Sequence, residues 1–214
     1  MISTCSYKNF NSNLASTIAI SGDHGKQVNY NGRYFRELAP KLSFWKKWHD
    51  NIGVISEEEN TKYYIEQYYK EVLSKLNPEI VFDKLNYSIL LCYEDNTEFC
   101  HRHVVAEWLQ ILLEVEIPEI KIEGYKVEKL ERPAYIREYL EEIMRKDRNM
   151  REFNSLRALY LFEKGEELEK EASLLEDKNS DKYFHYMQSA SYYRCDADMA
   201  EEEYKAKKKL IKTK

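Results

Sequence analysis

The sequence predicts an α/β fold: a small three-layer domain with a short, mainly parallel sheet, followed by a C-terminal α-helical hairpin or bundle. Three observations predict it. Residues 87–93, Tyr-Ser-Ile-Leu-Leu-Cys-Tyr, form a continuous apolar run of strand length, the pattern of a strand buried on both faces of a parallel sheet. A polar connection follows, and then a helical stretch from Phe99 to Leu113 with Val104, Val105, Trp108, Leu109 and Leu112 on one face. Strand, loop and helix in that order are half of a βαβ unit. Beyond residue 130 almost everything reads as charged helix, so the chain divides into an α/β domain over 1–122 and a helical extension over 130–214.

The elements follow in order. Ile2 to Tyr7 reads as a short strand, and Ser16 to Ser21 as a better one, rich in β-branched residues and closed by Gly22 and Asp23. The loop from Gly22 to Arg33 carries His24, Gly25, Asn29, Asn31 and Gly32. A loop of this length after a strand is the kind of segment that carries function. Over 57–76, Ile65, Tyr68, Tyr69, Val72, Leu73 and Leu76 repeat at helical spacing. Glu57, Glu58 and Glu59 load the first turn, where the helix dipole favours anions, and Asn77-Pro78 ends the pattern. Glu119 to Ile122 is a last short strand.

Three helices complete the chain. Pro133 to Arg145 has proline in its first turn, a favoured place. Glu152 to Leu175 carries Leu156, Leu159, Phe162, Leu168 and Leu175, with Gly165 as an interior weak point. Asp181 to Ile211 carries Tyr183, Phe184, Met187 and Ala190, then dissolves into Glu and Lys. Glu176 to Ser180 is the hinge between two antiparallel helices. Residues 201–209 set acids four positions before lysines, the pattern of an exposed helix rather than a binding tail.

Composition narrows the function. At roughly 150 residues per domain, 214 residues make one large domain or one domain with an extension. With 43% apolar and 33% charged residues, a real core is available and disorder is excluded. Six Gly and four Pro exclude collagen-like, low-complexity and turn-rich all-β designs. Lys plus Arg number 33 against 38 Asp plus Glu, a formal charge of −5, which disfavours non-specific nucleic-acid binding. The basic-aromatic segment from Phe44 to His49 has the residues to stack on a single strand, but such aromatics ordinarily pack a helix. Met1-Ile2-Ser3-Thr4-Cys5 runs straight into polar sequence, and no stretch approaches the ~18 apolar residues of a membrane span. A cytoplasmic protein with reduced thiols at 5, 92, 100 and 195, no membrane contact and no cofactor is the expectation.

The informative stretch is residues 90–103. Two thiols, two imidazoles and a guanidinium crowd there with the carboxylates of Glu94 and Glu98, at the carboxyl end of a buried strand and the start of the next helix. Ligands collect at that edge of open α/β sheets, and free N–H groups at a helix start attract anions. Cys100, in the first helical turn beside Arg102, is expected to have a lowered pKa and to serve as nucleophile. Arg102 would hold a phosphate or carboxylate, His101 or His103 would move a proton, and Glu94 and Glu98 would act as acid/base groups or hold the cations. A metal site on Cys92, Cys100, His101 and His103 is a second reading, disfavoured because neighbours on a helix project about 100° apart and the spacing fits no common zinc module. The third reading is structural: a buried Cys92, a helix cap and solvated histidines.

Residues 90–109 (LLCYEDNTEFCHRHVVAEWL) closely resemble the signature of the domain of unknown function 488 family, with its Phe-Cys-His-Arg and Ala-Glu-Trp-Leu elements. Upstream, Thr4-Cys5-Ser6-Tyr7-Lys8 stands where the family has Thr-Ser-Tyr-Phe, Ala19-Ile20-Ser21 resembles its second strand, and Glu37-Leu38-Ala39-Pro40 a Leu-Ala-Pro element. Tyr64 to Leu76 resembles a Tyr-rich helix, so the likeness covers about residues 1–117. It implies a three-layer α/β domain and no established activity. Its matches would make Glu94, Glu98, Cys100, His101 and Arg102 a polar site, faced by Ser6 and Tyr7. Gly22-Asp23-His24-Gly25 departs from an expected Arg-Gly, which weakens a shared phosphate site.

The resulting expectation is a protein that binds a nucleotide or other anionic ligand around residues 92–103. Cys100, His101 and Glu94 would be catalytic, with Arg102, Glu98, Ser6 and Tyr7 on the ligand. The alternative is a non-catalytic module whose residues 130–214 engage a protein partner or a second copy, since a two-helix hairpin alone hides little apolar surface.

Overall fold

The computed structural model describes residues 1–13, 15–147 and 153–212, and the chain forms two units, Met1–Met144 and Arg145–Lys214. The first unit is built on β1 (Ser3–Ser6), β2 (Phe10–Asn11), β3 (Thr17–Ala19), β4 (Arg33–Tyr34), β5 (Ile89–Cys92), β6 (Glu119–Glu123) and β7 (Lys126–Leu130). They form one sheet in the order β2-β6-β1-β5-β3-β4, with β7 beside β6. Every pairing is parallel except β6–β7. The fold is thus α/β with a mainly parallel sheet.

The apolar run is the central strand β5, every residue of it buried, between β1 and β3. Its register sets the two faces. Cys5 lies opposite Leu91, and together with Ile89, Ile120 and Ile122 they form a core cluster covered by Tyr7, Phe10, Ala15 and Tyr30. Thr4, Leu90, Ser6 and Cys92 point the other way, because strand side chains alternate. That face carries the helix after β5.

Helices α1 (Leu42–Asp50), α2 (Glu57–Glu71), α3 (Pro78–Leu85), α4 (His101–Leu113) and α5 (Tyr135–Asp147) follow. Ser56 caps α2 by accepting from the Glu59 N–H at 3.2 Å. Asn77 caps α3 with Pro78 in its first turn, so the dipeptide that ends one helical pattern also starts an unexpected helix. β7 was also unexpected: its sequence is mostly charged and its side chains are exposed, because it is an edge strand returning through a turn at Gly124 (φ 58°). α4 begins at His101, two residues later than its apolar periodicity suggests, and Cys100 is its N-cap residue in an extended conformation.

The second unit is a helical hairpin of α6 (Leu156–Ser173) and α7 (Asp181–Lys212), joined across the expected hinge. Ser155 caps α6 at the Ala158 N–H, 3.2 Å away. Glu152, where this helix was expected to begin, lies outside the described residues. At Gly165 the helices approach so closely that a β-carbon would stand 3.2 Å from the Ala190 carbonyl oxygen. Among the described residues no helix is long and apolar enough to cross a membrane.

Candidate functional site

The carboxyl end of β5 and the start of α4 face a cavity of about 610 Å³. Its walls come from distant parts of the first unit. Trp45 and Trp48 descend from α1 and Tyr64 from α2, Phe99 precedes α4, and Ser21 to Asp23 with Gln27 form the loop after β3. The aromatic rings brace one another, with Tyr64 5.1 Å from Phe99 and 5.4 Å from Trp48 between ring centres. The sequence assigned Phe44 to His49 to helix packing; Phe44 does pack on Tyr64 and Tyr68, but the two tryptophans line the cavity.

Cys92, Glu94, Cys100 and His101 converge on the floor. Cys100 Sγ lies 2.8 Å from Glu94 Oε2, and Cys92 Sγ lies 3.4 Å from the same oxygen. His101 Nε2 stands 3.0 Å from the Ile20 carbonyl oxygen, to which it donates, while Nδ1 is 3.7 Å from Cys92 Sγ. Tyr68 meets the imidazole edge-on, 5.6 Å between ring centres. The expectation that neighbouring Cys100 and His101 diverge on a helix fails, because Cys100 has extended backbone (φ −146°, ψ 141°) and turns its thiol back to the floor. The ligand atoms of Cys92, Cys100 and His101 all fall within 4.8 Å of one another, a set able to hold a metal ion.

The floor has an uneven charge distribution. Burial opposes ionisation of Cys100, but the Cys92 hydrogen bond, Arg102 and His101 outweigh it and hold that thiol well below the ordinary range. Burial and the neighbouring Cys100 push Cys92 well up. Burial and the Cys100 charge push the Glu94 carboxyl up to about 7. Burial alone would lower His101, yet the Cys100 and Glu94 charges raise it. These directions favour the charged forms of Cys100 and His101 and the protonated forms of Cys92 and Glu94.

The other expected site residues lie elsewhere. Arg102 does not reach the cavity: it is fully buried, donates to both Glu119 oxygens through Nε, and gives Nη1 to the Glu94 carbonyl at 2.7 Å. Arg102 follows the cavity-lining His101 by one helical position, about 100° of rotation, and its guanidinium is taken up by the ion pair with Glu119. Ser6 is fully buried and caps a short turn by accepting from the Asn9 N–H at 3.2 Å. Glu98 is exposed and accepts from the Asp95 N–H at 2.7 Å, fixing the turn after β5. Tyr7 packs at a tilt against Tyr93, 5.0 Å between centres, with its hydroxyl 3.3 Å from Ser21 Oγ.

Asp23 and Tyr93 were not anticipated. The Tyr93 hydroxyl donates to the Asp23 carboxylate at 2.7 and 2.8 Å and accepts from the Gln27 N–H at 3.2 Å, which pins the loop after β3 to the end of β5. These residues are 70 positions apart, and local sequence contains no signal for the pair.

The model of the family described as DUF488-N3a, active DUF488-N3 subclade, matches residues 12–112, which takes in the cavity-lining elements and stops before β6. No curated protein and no solved structure matches the chain.

Proposed function

We propose that this chain, a DUF488-family domain followed by a C-terminal extension, is an enzyme that takes a flat, nucleotide-like ligand into the aromatic-walled cavity and attacks it with Cys100. The observation that carries this reading is the placement of Cys100 Sγ at the end of that cavity, 2.8 Å from Glu94 Oε2 and beside His101. A nucleophile needs a proton-moving partner within hydrogen-bond reach, and both groups meet that requirement. Sγ forms a bond to an electrophilic carbon of the ligand, the bond to the leaving group breaks, and Glu94 or His101 supplies the proton that departs with the electron pair. Trp45, Trp48, Tyr64 and Phe99 supply faces and edges for a heterocyclic ring. The described lining contains no Lys or Arg, so recognition rests on the ring rather than on a phosphate. The subclade's description as active agrees with chemistry at this floor.

The test is site-resolved alkylation of the full chain, reduced and freed of metal with a chelator. Iodoacetamide should modify Cys100 ahead of Cys5 and Cys92, and a purine or pyrimidine nucleotide should protect it. A Cys100 that stays unmodified, or that no nucleoside or nucleotide protects, overturns the reading.

A second reading, a module whose helical extension engages a partner or a second copy, is favoured by the exposed Phe184, Tyr192 and Met199 along α7. Sedimentation at increasing concentration tests it: a monomer throughout argues against self-association.

A further inference from the structure

We infer that the cavity floor is also a binding site for a thiophilic divalent cation, zinc above all, held by Cys92 Sγ, Cys100 Sγ and His101 Nδ1. The inference uses the same floor but does not rest on the catalytic reading. Two sulfurs and an imidazole nitrogen select zinc-like ions over magnesium or calcium, which take oxygen ligands. Zinc–sulfur bonds of about 2.3 Å and zinc–nitrogen bonds of about 2.0 Å place tetrahedral ligands roughly 3.5–3.8 Å apart. Cys92 Sγ lies 3.7 Å from His101 Nδ1 and 3.8 Å from Nε2, and with Nε2 occupied by the Ile20 carbonyl it is Nδ1 that is left for a metal; the donor atoms of all three residues lie within 4.8 Å of one another.

The imidazole supplies a second, independent observation. A metal-binding histidine ordinarily donates its remote N–H to a carbonyl or carboxylate, which fixes the tautomer and turns the other nitrogen to the metal. His101 Nε2 is so engaged, with the Ile20 carbonyl oxygen 3.0 Å away. Glu94 Oε2 is 3.4 Å from Cys92 Sγ and is placed for the fourth position or for a hydrogen bond to a water there. The charge balance also fits. Arg102 is neutralised by Glu119, so two thiolates and one divalent cation leave a buried floor with no net charge from these groups. On binding, Cys92 gives one proton to solvent and the Cys100–His101 pair gives another, which leaves two thiolates and a neutral imidazole. A Cys100 sulfur bound to the cation is withheld from reaction, so the metal-loaded and nucleophilic states exclude one another.

The test is cobalt(II) titration of the full chain, chelator-treated and kept reduced with a phosphine. One equivalent should give the intense near-ultraviolet thiolate-to-cobalt band and tetrahedral visible bands, and zinc should bleach both. Cys92→Ser and Cys100→Ser should each weaken the near-ultraviolet band by about half or abolish it, while Cys195→Ser, on the exposed face of α7, should leave it unchanged. No band, or a band that persists in both site variants, overturns the inference. If a site variant fails to fold by circular dichroism, the wild type decides: one equivalent of zinc must protect Cys100 from iodoacetamide and a chelator must restore its reactivity. Nucleotide protection is read separately on metal-free protein, so failure of either reading is distinct from failure of the other.

Discussion

Arg102 and Glu119 form an ion pair with neither side chain exposed, Nη2 lying 2.9 Å from Oε1. Thr4 Oγ1 donates to Glu119 Oε2 at 2.6 Å, and His103 Nε2 stands 3.4 Å from the same oxygen. Through its bond to the Glu94 carbonyl, Arg102 ties β6 and α4 to the turn that presents Glu94 to the floor. Removing one partner strands the other charge in the interior, which costs about 3–5 kcal/mol. Glu119→Gln should therefore lower the unfolding free energy, read from the fall in urea midpoint, by that amount. The double variant Arg102→Met/Glu119→Leu should recover most of it, because no buried charge remains. Equal losses in the single and double variants would show that the ion pair is not what the stability depends on.

Acid should act through the same carboxylate. Burial works to raise the Glu119 pKa, but His103 and Arg102 outweigh it and hold it below the ordinary value of 4.5. Its folded pKa is thus below its unfolded one. The stability it contributes is complete above the unfolded value and is lost as pH falls through the folded one. Urea midpoints measured from pH 6 down to pH 3 should fall more steeply for the wild type than for Glu119→Gln. Parallel curves would refute this assignment.

Tyr93→Phe removes the donor to Asp23 and the acceptor for the Gln27 N–H. The latch is partly open to solvent, so the stability cost should be small, about 0.5–1.5 kcal/mol. Its local effect should be larger. Amide exchange over residues 22–28 should speed up by an order of magnitude or more while β5 stays protected. Uniform acceleration across the sheet would indicate a global rather than a local role.

Four of the seven described strands were legible, β5 most clearly: a strand buried on both faces must be apolar throughout, and Ile89–Cys92 meets that requirement, whereas the two-residue strands β2 and β4 are too short to leave a pattern. β7 was not legible, because only its backbone joins the sheet and an exposed edge accepts charged side chains. The cluster at 92–103 was visible as residue types, but its geometry depended on a single backbone choice at Cys100, extended rather than helical. That choice brought Cys92, Cys100 and His101 together, whereas helical rotation alone suffices to turn Arg102 away. The aromatic walls and the Asp23 latch arise only when segments far apart in sequence meet in the fold.

Gly165→Ala tests the hairpin. Alanine gains about 1 kcal/mol of helix propensity over glycine. Its β-carbon, however, meets the Ala190 carbonyl oxygen and Arg194 Cγ, each at 3.2 Å. Arg194 can swing aside, but the carbonyl belongs to the α7 backbone and retreats only if the helix moves. The contact should cancel the propensity gain, leaving the melting temperature of the full chain unchanged or lowered, and Gly165→Val should lower it further. A clear rise with alanine would show that α7 yields at no cost.

Trp48→Ala tests the cavity wall. The side chain is half-buried and packs on Tyr64 and Phe99, with its backbone carbonyl held by Asn60 Nδ2 at 2.8 Å, so the helix keeps its anchor when the ring is removed. Stacking of a base on an aromatic ring is worth roughly 1–3 kcal/mol, about 5- to 150-fold in affinity. The nucleotide concentration that half-protects Cys100 should rise by a factor in that range. The alkylation rate of the free thiol should change little, because the groups that lower the Cys100 thiol are Cys92, Arg102 and His101, and Trp48 carries no charge. A shifted intrinsic rate with unshifted protection would mean that the ring shields the thiol rather than binding the ligand, and the ligand would then have to be sought outside this cavity.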